Sequence, residues 1–482
     1  MNPNILPNIA GGQTVTGEMG FQEVAELRKA LEAGYGTDVA TLTGGGALRI
    51  QSLEKTMLAT IQENKHFRLF NELAKTNATA TVDEWTEQSS VGGFLGGSTN
   101  TETVVIPQAQ GVYNRRAGFV KYLMTRREVS FVTTLQNAIA DAEATEAQNG
   151  AKQLLSDAEF LCFEGDSEIV PTEFDGIGTQ IASLNSADHV LDAEGQSLAS
   201  IDLVNTAAAT ISGFGNFGQP THLFMSQLNQ ADFDTGLDPA FRVPLTDVPN
   251  GGIQLGSPVV GVRTSWGNIK ACPDVFVRDE AQQVPFQLME PSLAANNDSF
   301  KPAAVAGATA SDVESKFGGN HAGNYYYLVT GINAKGQSTG VITSQVAVAA
   351  GEKVTLSITA SATNEETGYV IYRGRLNGTN APNDFRQMAR VPKAVGGTTT
   401  YVDLNREIPG TTKAYILNMT PGDMAITWRQ LLPMLKFPLY PTVSAVIPWA
   451  QLMFGYLRIG KRKHHVVIKN IVPNGAKWKP FA

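Results

Sequence analysis

The chain has 482 residues, enough for about three domains on a loose prior of ~150 residues each. Apolar residues make up 42% and charged residues 17%, below the ~25% of an average soluble domain, so much of the surface is expected to be hidden in cores or against partner subunits. The 47 glycines and 23 prolines demand many turns and exclude a coiled coil, and a formal charge of −8 excludes a basic nucleic-acid binder as a description of the whole chain.

Residues 1–75 read as an arm followed by helices. Residues 1–18 lack a basic stretch followed by an apolar core, so no secretory signal is expected. Phe21, Val24, Ala25, Leu27, Ala30 and Leu31 form one amphipathic face; Leu53, Met57, Leu58 and Ile61 form another, with Gly44-Gly45-Gly46 as a joint between them. Residues 76–130 change character. The run 78–87 is rich in Thr, Val and Trp without a helical period, 103–107 is β-branched, and Gly92-Gly93-Phe94-Leu95-Gly96-Gly97 between them is a turn signal. The pattern predicts a glycine-tipped, two-stranded ribbon with too little core to be stable alone. Residues 131–165 follow as a long helix. Thr133 and Gln136 have capping-box spacing, and Leu135, Ile139, Ala142, Leu154, Leu155, Ala158 and Leu161 mark an apolar stripe. A helix over 133–163 is a rod roughly 45 Å long.

Residues 166–298 read as mixed α/β, with a helix over 198–212, a buried strand over 221–225 and further strands over 259–264 and 274–277. A compositional shift follows at 290–302, and from about Asn324 to Tyr415 the texture is all-β. Period-two runs at 325–329, 341–348, 353–359, 369–372, 387–391 and 399–402 are separated by turns such as Asn333-Ala334-Lys335-Gly336 and Asn377-Gly378, which predicts a β-sandwich. Residues 416–482 return to mixed composition, as though the sandwich were inserted into a body. Within them, 437–457 run 21 residues without a charge, the length of a membrane span. Pro438, Pro441, Pro448 and Gln451 argue for buried strands and loops instead. No acidic residue follows Asp423, while Arg429, Lys436, Arg458, Lys461, Arg462, Lys463, Lys469, Lys477 and Lys479 supply nine positive charges and leave −17 on the first 423 residues. Such asymmetry favours self-contact or an anionic partner on one face; a solvated basic rim is the plainer alternative.

The candidate chemistry is thin. Cys162 and Cys272 stand far apart and outside any C-x-x-C pattern, so neither a disulfide framework nor a thiolate zinc site is expected. Gly213-Phe-Gly215-Asn-Phe-Gly218 matches G-x-G-x-x-G, but a helix precedes it and a strand follows, the reverse of a dinucleotide site. His66, His189, His222, His321, His464 and His465 form no H-x-x-x-H or H-x-H pair on a predicted element, and the last two would point to opposite faces of a strand. Asp166, Glu168, Glu173 and Asp175 cluster around Gly165 and Pro171 as a solvated loop would. No nucleophile elbow or Walker loop is present. The expectation is a chain without catalytic residues, cofactor or metal.

The order of parts is more informative. An arm, a glycine-tipped ribbon, a long helix directly after it, an α/β lobe and a closing mixed segment resemble the major capsid protein of tailed bacteriophages, with its Hong Kong 97-like fold. The stretch Gly218-Gln-Pro-Thr-His-Leu-Phe-Met-Ser226 is similar to the strand that members place after an axial-domain helix. The resemblance covers 20–290 and 416–475. It implies an α+β fold with 1–75 as N-terminal arm and helices, 76–130 as the extended β loop and 131–165 as the spine helix of the peripheral domain. Residues 166–298 become the axial domain with part of the peripheral domain, and 416–482 the return to that body. Tyr325-Tyr-Tyr-Leu-Val-Thr-Gly-Ile-Asn-Ala-Lys-Gly-Gln-Ser338, Gly368-Tyr-Val-Ile-Tyr-Arg373 and Thr399-Thr-Tyr-Val-Asp403 resemble the immunoglobulin-like or fibronectin type III insertions of some phage capsid proteins. One feature departs: the tyrosine-rich hairpin precedes the Gly368 strand, whereas in a standard type III module it follows. An insertion over 299–415 is expected to have its ends near Ser299 and Tyr415 close together, to fold by itself and to project outward.

The resemblance implies self-assembly into pentamers and hexamers, an icosahedral head enclosing double-stranded DNA held without sequence preference, and scaffold, portal and decoration proteins as further partners. The place implied is the virion capsid, assembled in the host bacterial cytoplasm, with no membrane partner. Some members join a lysine of the extended loop to a neighbour's asparagine; this chain has no lysine between Lys75 and Lys121. Alternatives are an encapsulin-type compartment, a phage tail or baseplate component, and a secreted carbohydrate-binding or hydrolytic protein with an adhesive sandwich.

Overall fold

The computed structural model describes residues 63–135, 141–236, 259–281, 298–441 and 444–481. The helix expected at 21–31, the Gly44–Gly46 joint and all but the last residue of the helix expected at 53–63 lie outside these; Glu63 itself is extended. Residues 61–136 and 142–482 form one compact unit that holds every element below; of the second unit, 1–60 with 137–141, only Asp141 is described.

In chain order, α1 (Arg68–Glu72) leads into β1 (Ala74–Asn77), the ribbon strands β2 (Val82–Ser90) and β3 (Val112–Phe119), and β4 (Lys121–Ser130). Then come α2 (Phe131–Leu135), α3 (Ala142–Glu164), α4 (Ile177–Ala182), β5 (Val190–Asp192), α5 (Asp202–Ser212), β6 (His222–Met225), α6 (Gln227–Gly236), β7 (Gly261–Thr264) and β8 (Gly267–Pro273). The all-β stretch holds β9 (Ala304–Ser311), β10 (Gly323–Tyr325), β11 (Tyr327–Asn333), β12 (Gly336–Gln337), β13 (Val341–Ile342), β14 (Val346–Val348), β15 (Glu352–Thr359), β16 (Gly368–Gly374), β17 (Phe385–Pro392) and β18 (Thr398–Asp403). The strands β19 (Thr412–Leu417), β20 (Ile426–Pro438), β21 (Val446–Ile459) and β22 (Val466–Ile471) follow.

Two sheets build the body. The first has the order β1-β20-β21-β4 and carries α3 on one face. Gly150, Leu154, Ala158 and Cys162 recur every fourth residue on the buried side of α3, with Glu159 and Phe163 beside them. Trp428 of β20 sits at the centre of this core, met edge-on by Phe70 and Phe174 at 5.1 and 5.3 Å. The second sheet has the order β5-β22-β19-β6-β8-β7 and is covered by α5, which buries Val204, Ala207, Ala208 and Ile211 at helical spacing.

Several expectations shift. The long helix starts at Ala142 and has 23 residues, about 35 Å. β4 runs through to Ser130, which pairs with Val446, so Phe131–Leu135 is a separate short helix; 136–140 lie outside the described residues. Residues 121–130 thus belong to the first sheet and not to the ribbon. Residues 274–277 are no strand: Asp274 Oδ1 accepts the Phe276 N–H at 2.8 Å and turns the chain just after β8. His464 ends a short 3-10 turn and does not share a strand with His465. The uncharged run 437–457 holds the last two residues of β20 and all but the last two of β21. It buries Trp449, Met453 and Leu457 and exposes Phe437 and Tyr440. Among the described residues no helix is long and apolar enough to cross a membrane.

In the all-β stretch the sheet β18-β15-β9 shares a core with the sheet β12-β11-β16-β17, and Tyr325, Tyr327, Val329, Leu356, Ile358, Tyr369 and Ile371 fill it. All seven residues of β16 are buried, because its sheet is covered on both faces. Leu328, Val370, Tyr372 and Phe385 cluster on the second face. The body reaches this part at several points. Arg390 donates to the Glu164 carbonyl at 2.8 Å and pairs with Glu173 at 3.1 Å, and Arg386 donates to the Glu280 carbonyl at 2.6 Å. A Cβ on Gly368 would lie 2.6 Å from Ile169. The stretch is therefore docked on the body within one compact unit. Tyr415, the expected end of the insertion, lies inside β19 of the six-stranded sheet.

Candidate assembly surfaces

The ribbon pairs antiparallel from Val82↔Phe119 to Ser90↔Val112, with a bulge between Gln88 and Ser90. Period two turns Asp83, Trp85 and Glu87 to one side, and that side rests on the body. Asp83 accepts from Arg429 Nε at 2.8 Å, Arg429 Nη2 at 3.0 Å and the Tyr456 hydroxyl at 2.6 Å. Burial opposes its ionisation, but Arg429 and Tyr456 outweigh it and hold the carboxyl below its ordinary value. Glu87 pairs with Arg462 at 3.0 Å, and Arg458 lies 5.9 Å over the Trp85 ring. Gly118 lies under Tyr456, where a Cβ would come within 2.2 Å of the ring. Nothing larger fits between ribbon and sheet.

Past Ser90 the support ends. Val91, Phe94, Leu95, Val105 and Ile106 are each at least 78% exposed. Gly92 has φ +88°, and its Cβ position falls 2.2 Å from the Gln110 carbonyl, so the tip turns there only with glycine. The loop 213–218 presents a second apolar feature. Phe214 and Phe217 stand exposed, edge to face at 5.4 Å. Phe217 has φ +55°, a conformation an aromatic residue adopts at a cost. Tip and loop border one cleft of about 1200 Å³, together with Met424, Lys461 and Lys463. Clustered exposed apolar side chains of this kind mark a contact surface.

The other candidates resolve into structure. The loop 213–218 leaves the C-terminus of α5 and enters β6, so it offers a phosphate the wrong end of a helix. In the acidic cluster, Asp166 Oδ1 caps the Glu168 N–H, Asp175 Oδ1 the Ser167 N–H and Glu173 Oε2 the Asp166 N–H, while Arg390 pairs with Glu173. His66 accepts from the Glu63 N–H, His222 meets Glu72 at 3.2 Å, His321 stacks on Phe481 and His464 lies 3.5 Å from Asp423. His189 and His465 are buried, and burial holds His465 down at about 3. Among the described residues no group of three or more His, Cys, Asp or Glu side chains could hold a metal ion. Cys162 and Cys272 are free and buried. Of the late basic residues, Arg429, Lys436, Arg458, Lys461, Arg462 and Lys469 pair with acids earlier in the chain. Among the described residues Lys463, Lys477 and Lys479 have no ion pair. Sequence reasoning missed the anchors Asp83 and Glu87. Their spacing places them on one strand face, but nothing local names the arginines they meet.

No family model matches the chain. Curated relatives match it almost end to end. The major capsid protein of Staphylococcus phage S25-3 is 26% identical over 462 residues, covering 94% of this chain and 95% of that protein. That of Staphylococcus phage K is 25% identical over the same shares. The chain is a relative of phage major capsid proteins. Among solved structures, the capsid of an empty GTA particle aligns over 90% of this chain and 100% of that chain, at TM-score 0.45 and 10% identity. The holo-SrpI encapsulin complex of Synechococcus elongatus aligns over 90% and 96%, at TM-score 0.38 and 8% identity. The assignment rests on the sequence relatives and not on these structural likenesses.

Proposed function

We infer that this chain is a phage major capsid protein, a structural subunit of the virion that carries out no reaction. The observation that carries this reading is its relationship, at 25–26% identity over 94% of its length, to proteins named as major capsid proteins. In that role the subunit is Hong Kong 97-like. The β2–β3 ribbon is its extended loop, α3 its spine helix, the six-stranded sheet with α5 and α6 its axial domain, and the β9–β18 stretch an immunoglobulin-like insertion. Copies gather into pentamers and hexamers, and the apolar ribbon tip is covered by a neighbouring copy. Heterologous contacts of this sort close into rings, and many modest contacts add up to a stable shell. The shell encloses double-stranded DNA; it is built in the host bacterial cytoplasm, with scaffold, portal and decoration proteins as further partners.

Electron microscopy of the purified recombinant protein tests this. Hollow icosahedral particles of uniform size are expected. Protein that remains monomeric at high concentration, with scaffold supplied, would overturn the reading. Particles filled with a co-purified protein would favour an encapsulin-type compartment.

A further inference from the structure

Glu159 lies on the inner face of α3 with no exposure to solvent. Both its carboxyl oxygens face α1: the Leu69 N–H donates to Oε1 at 2.7 Å and the Phe70 N–H to Oε2 at 2.8 Å. Asp274, the first residue after β8, is 1% exposed and comes within hydrogen-bonding reach of Glu159. Its Oδ1 is occupied by the Phe276 N–H, but its Oδ2 is buried with no hydrogen-bond partner. Two carboxylates in one dry site are each desolvated and repel one another. A single proton between them turns that repulsion into a charge-assisted hydrogen bond and gives the orphaned oxygen a partner. Burial first, and for Glu159 the neighbouring Asp274 carboxylate second, push both groups up, Glu159 to about 9.

Among the described residues, the only counter-charge in the groups around the pair is that of Arg68 on α1, which favours ionised Asp274 but does not overcome burial. Cys162 on α3 and Cys272 on β8 are buried thiols that burial pushes up. Lys270 of β8 is engaged with Glu72 of α1, which also meets His222 of β6.

We propose that Glu159 and Asp274 hold one proton between them and act as a proton-dependent latch that fastens α1 onto α3 and the end of β8. With the proton in place, three elements meet at one satisfied hydrogen-bond cluster. When it leaves, two anions compete for the Leu69 and Phe70 amides and α1 is released. Because the folded pair binds its proton more tightly than the unfolded chain does, the latch is complete at low pH. It weakens as pH rises towards the folded value.

Tryptic cleavage after Arg68 reads the open state. Cleavage after Lys335, in an exposed turn, corrects for the protease's own pH dependence. Opening linked to loss of one proton grows up to tenfold per pH unit, so the corrected rate in the unmodified chain is expected to rise about tenfold or more between pH 7 and 9.5. Asp274→Asn keeps the Oδ1 acceptor for Phe276 and supplies a permanent N–H donor to Glu159, so its rate is expected to stay flat. A flat rate in the unmodified chain, or the same rise in both proteins, overturns the latch. Should the variant not fold, infrared spectroscopy of the unmodified protein decides. A protonated-carboxyl carbonyl band present at pH 7.5 and lost by pH 10 supports the shared proton, and absence of that band refutes it.

Discussion

The Asp83 carboxylate accepts three hydrogen bonds from Arg429 and Tyr456 and also faces Arg458. Asp83→Asn would leave mostly buried guanidinium groups without their counter-charge, and a loss of about 2 kcal/mol is expected in urea unfolding. An unchanged midpoint would mean that backbone pairing alone seats the ribbon. Glu164 makes the opposite kind of case to Glu159. Burial alone would raise its carboxyl, yet Lys413, Arg278 and Arg390 hold it at about 2. Its folded value is depressed, so its stabilisation is complete above pH 4.5 and lost as pH falls towards 2, worth about 3 kcal/mol. His465, held at about 3 by burial, destabilises in the same direction as pH falls below 6.5. Glu164→Gln should therefore show lower stability at pH 7 and a shallower, not absent, loss between pH 5 and 3. An acid profile parallel to the unmodified chain would contradict this. Little of this was legible beforehand. Asp83 and Glu87 stand in plain period-two spacing, but their partners lie 346 and 375 positions away, and only the fold brings the late arginines to them.

At the scale of elements, local signals worked where local physics decides. The glycine run marked the ribbon tip because Gly92, Gly93 and Gly96 adopt positive φ. The helix-then-strand order around 213–218 was readable because α5 carries its own apolar stripe. It failed where pairing elsewhere overrides the pattern. The apparent start of the long helix is preceded by β4, which pairs with β21 across ten register positions, and the alternating run 274–277 is cut short by the Asp274 side-chain turn. The ribbon yields a clean test, since Ser90 and Val112 are register partners. Replacing 91–111 with an Asn-Gly turn removes the exposed apolar tip and leaves the anchored root. Thermal unfolding should change by only a few degrees, because the removed side chains contribute nothing to the subunit's core. Shells seen by electron microscopy should be lost. Normal shells from this variant would mean that the tip is not an inter-subunit contact.

At the scale of the whole molecule, the sandwich pattern in 299–415 was legible from alternation, but its attachment was not, because alternation reports only one buried face. β16 is buried on both. Its second face brings Tyr372 and Phe385 against a region where Arg386 and Arg390 bond Glu280, Glu164 and Glu173. Trp478 closes the same seam, donating to the Asp384 carbonyl while Arg386 lies 5.0 Å over its ring. An isolated segment would expose that face and strand two arginines, and a body without the segment would leave Glu164 and Glu280 short of counter-charge. Sandwich and body are thus expected to unfold in one cooperative transition in scanning calorimetry of the assembly-deficient 91–111 variant, where no shell contributes. Arg390→Ala should lower that single transition by several degrees, because it removes the bond to the Glu164 carbonyl and the Glu173 pair together. Two separate transitions, with only one displaced by Arg390→Ala, would instead mean that the sandwich folds independently and that the buried ion pairs are a passive seam.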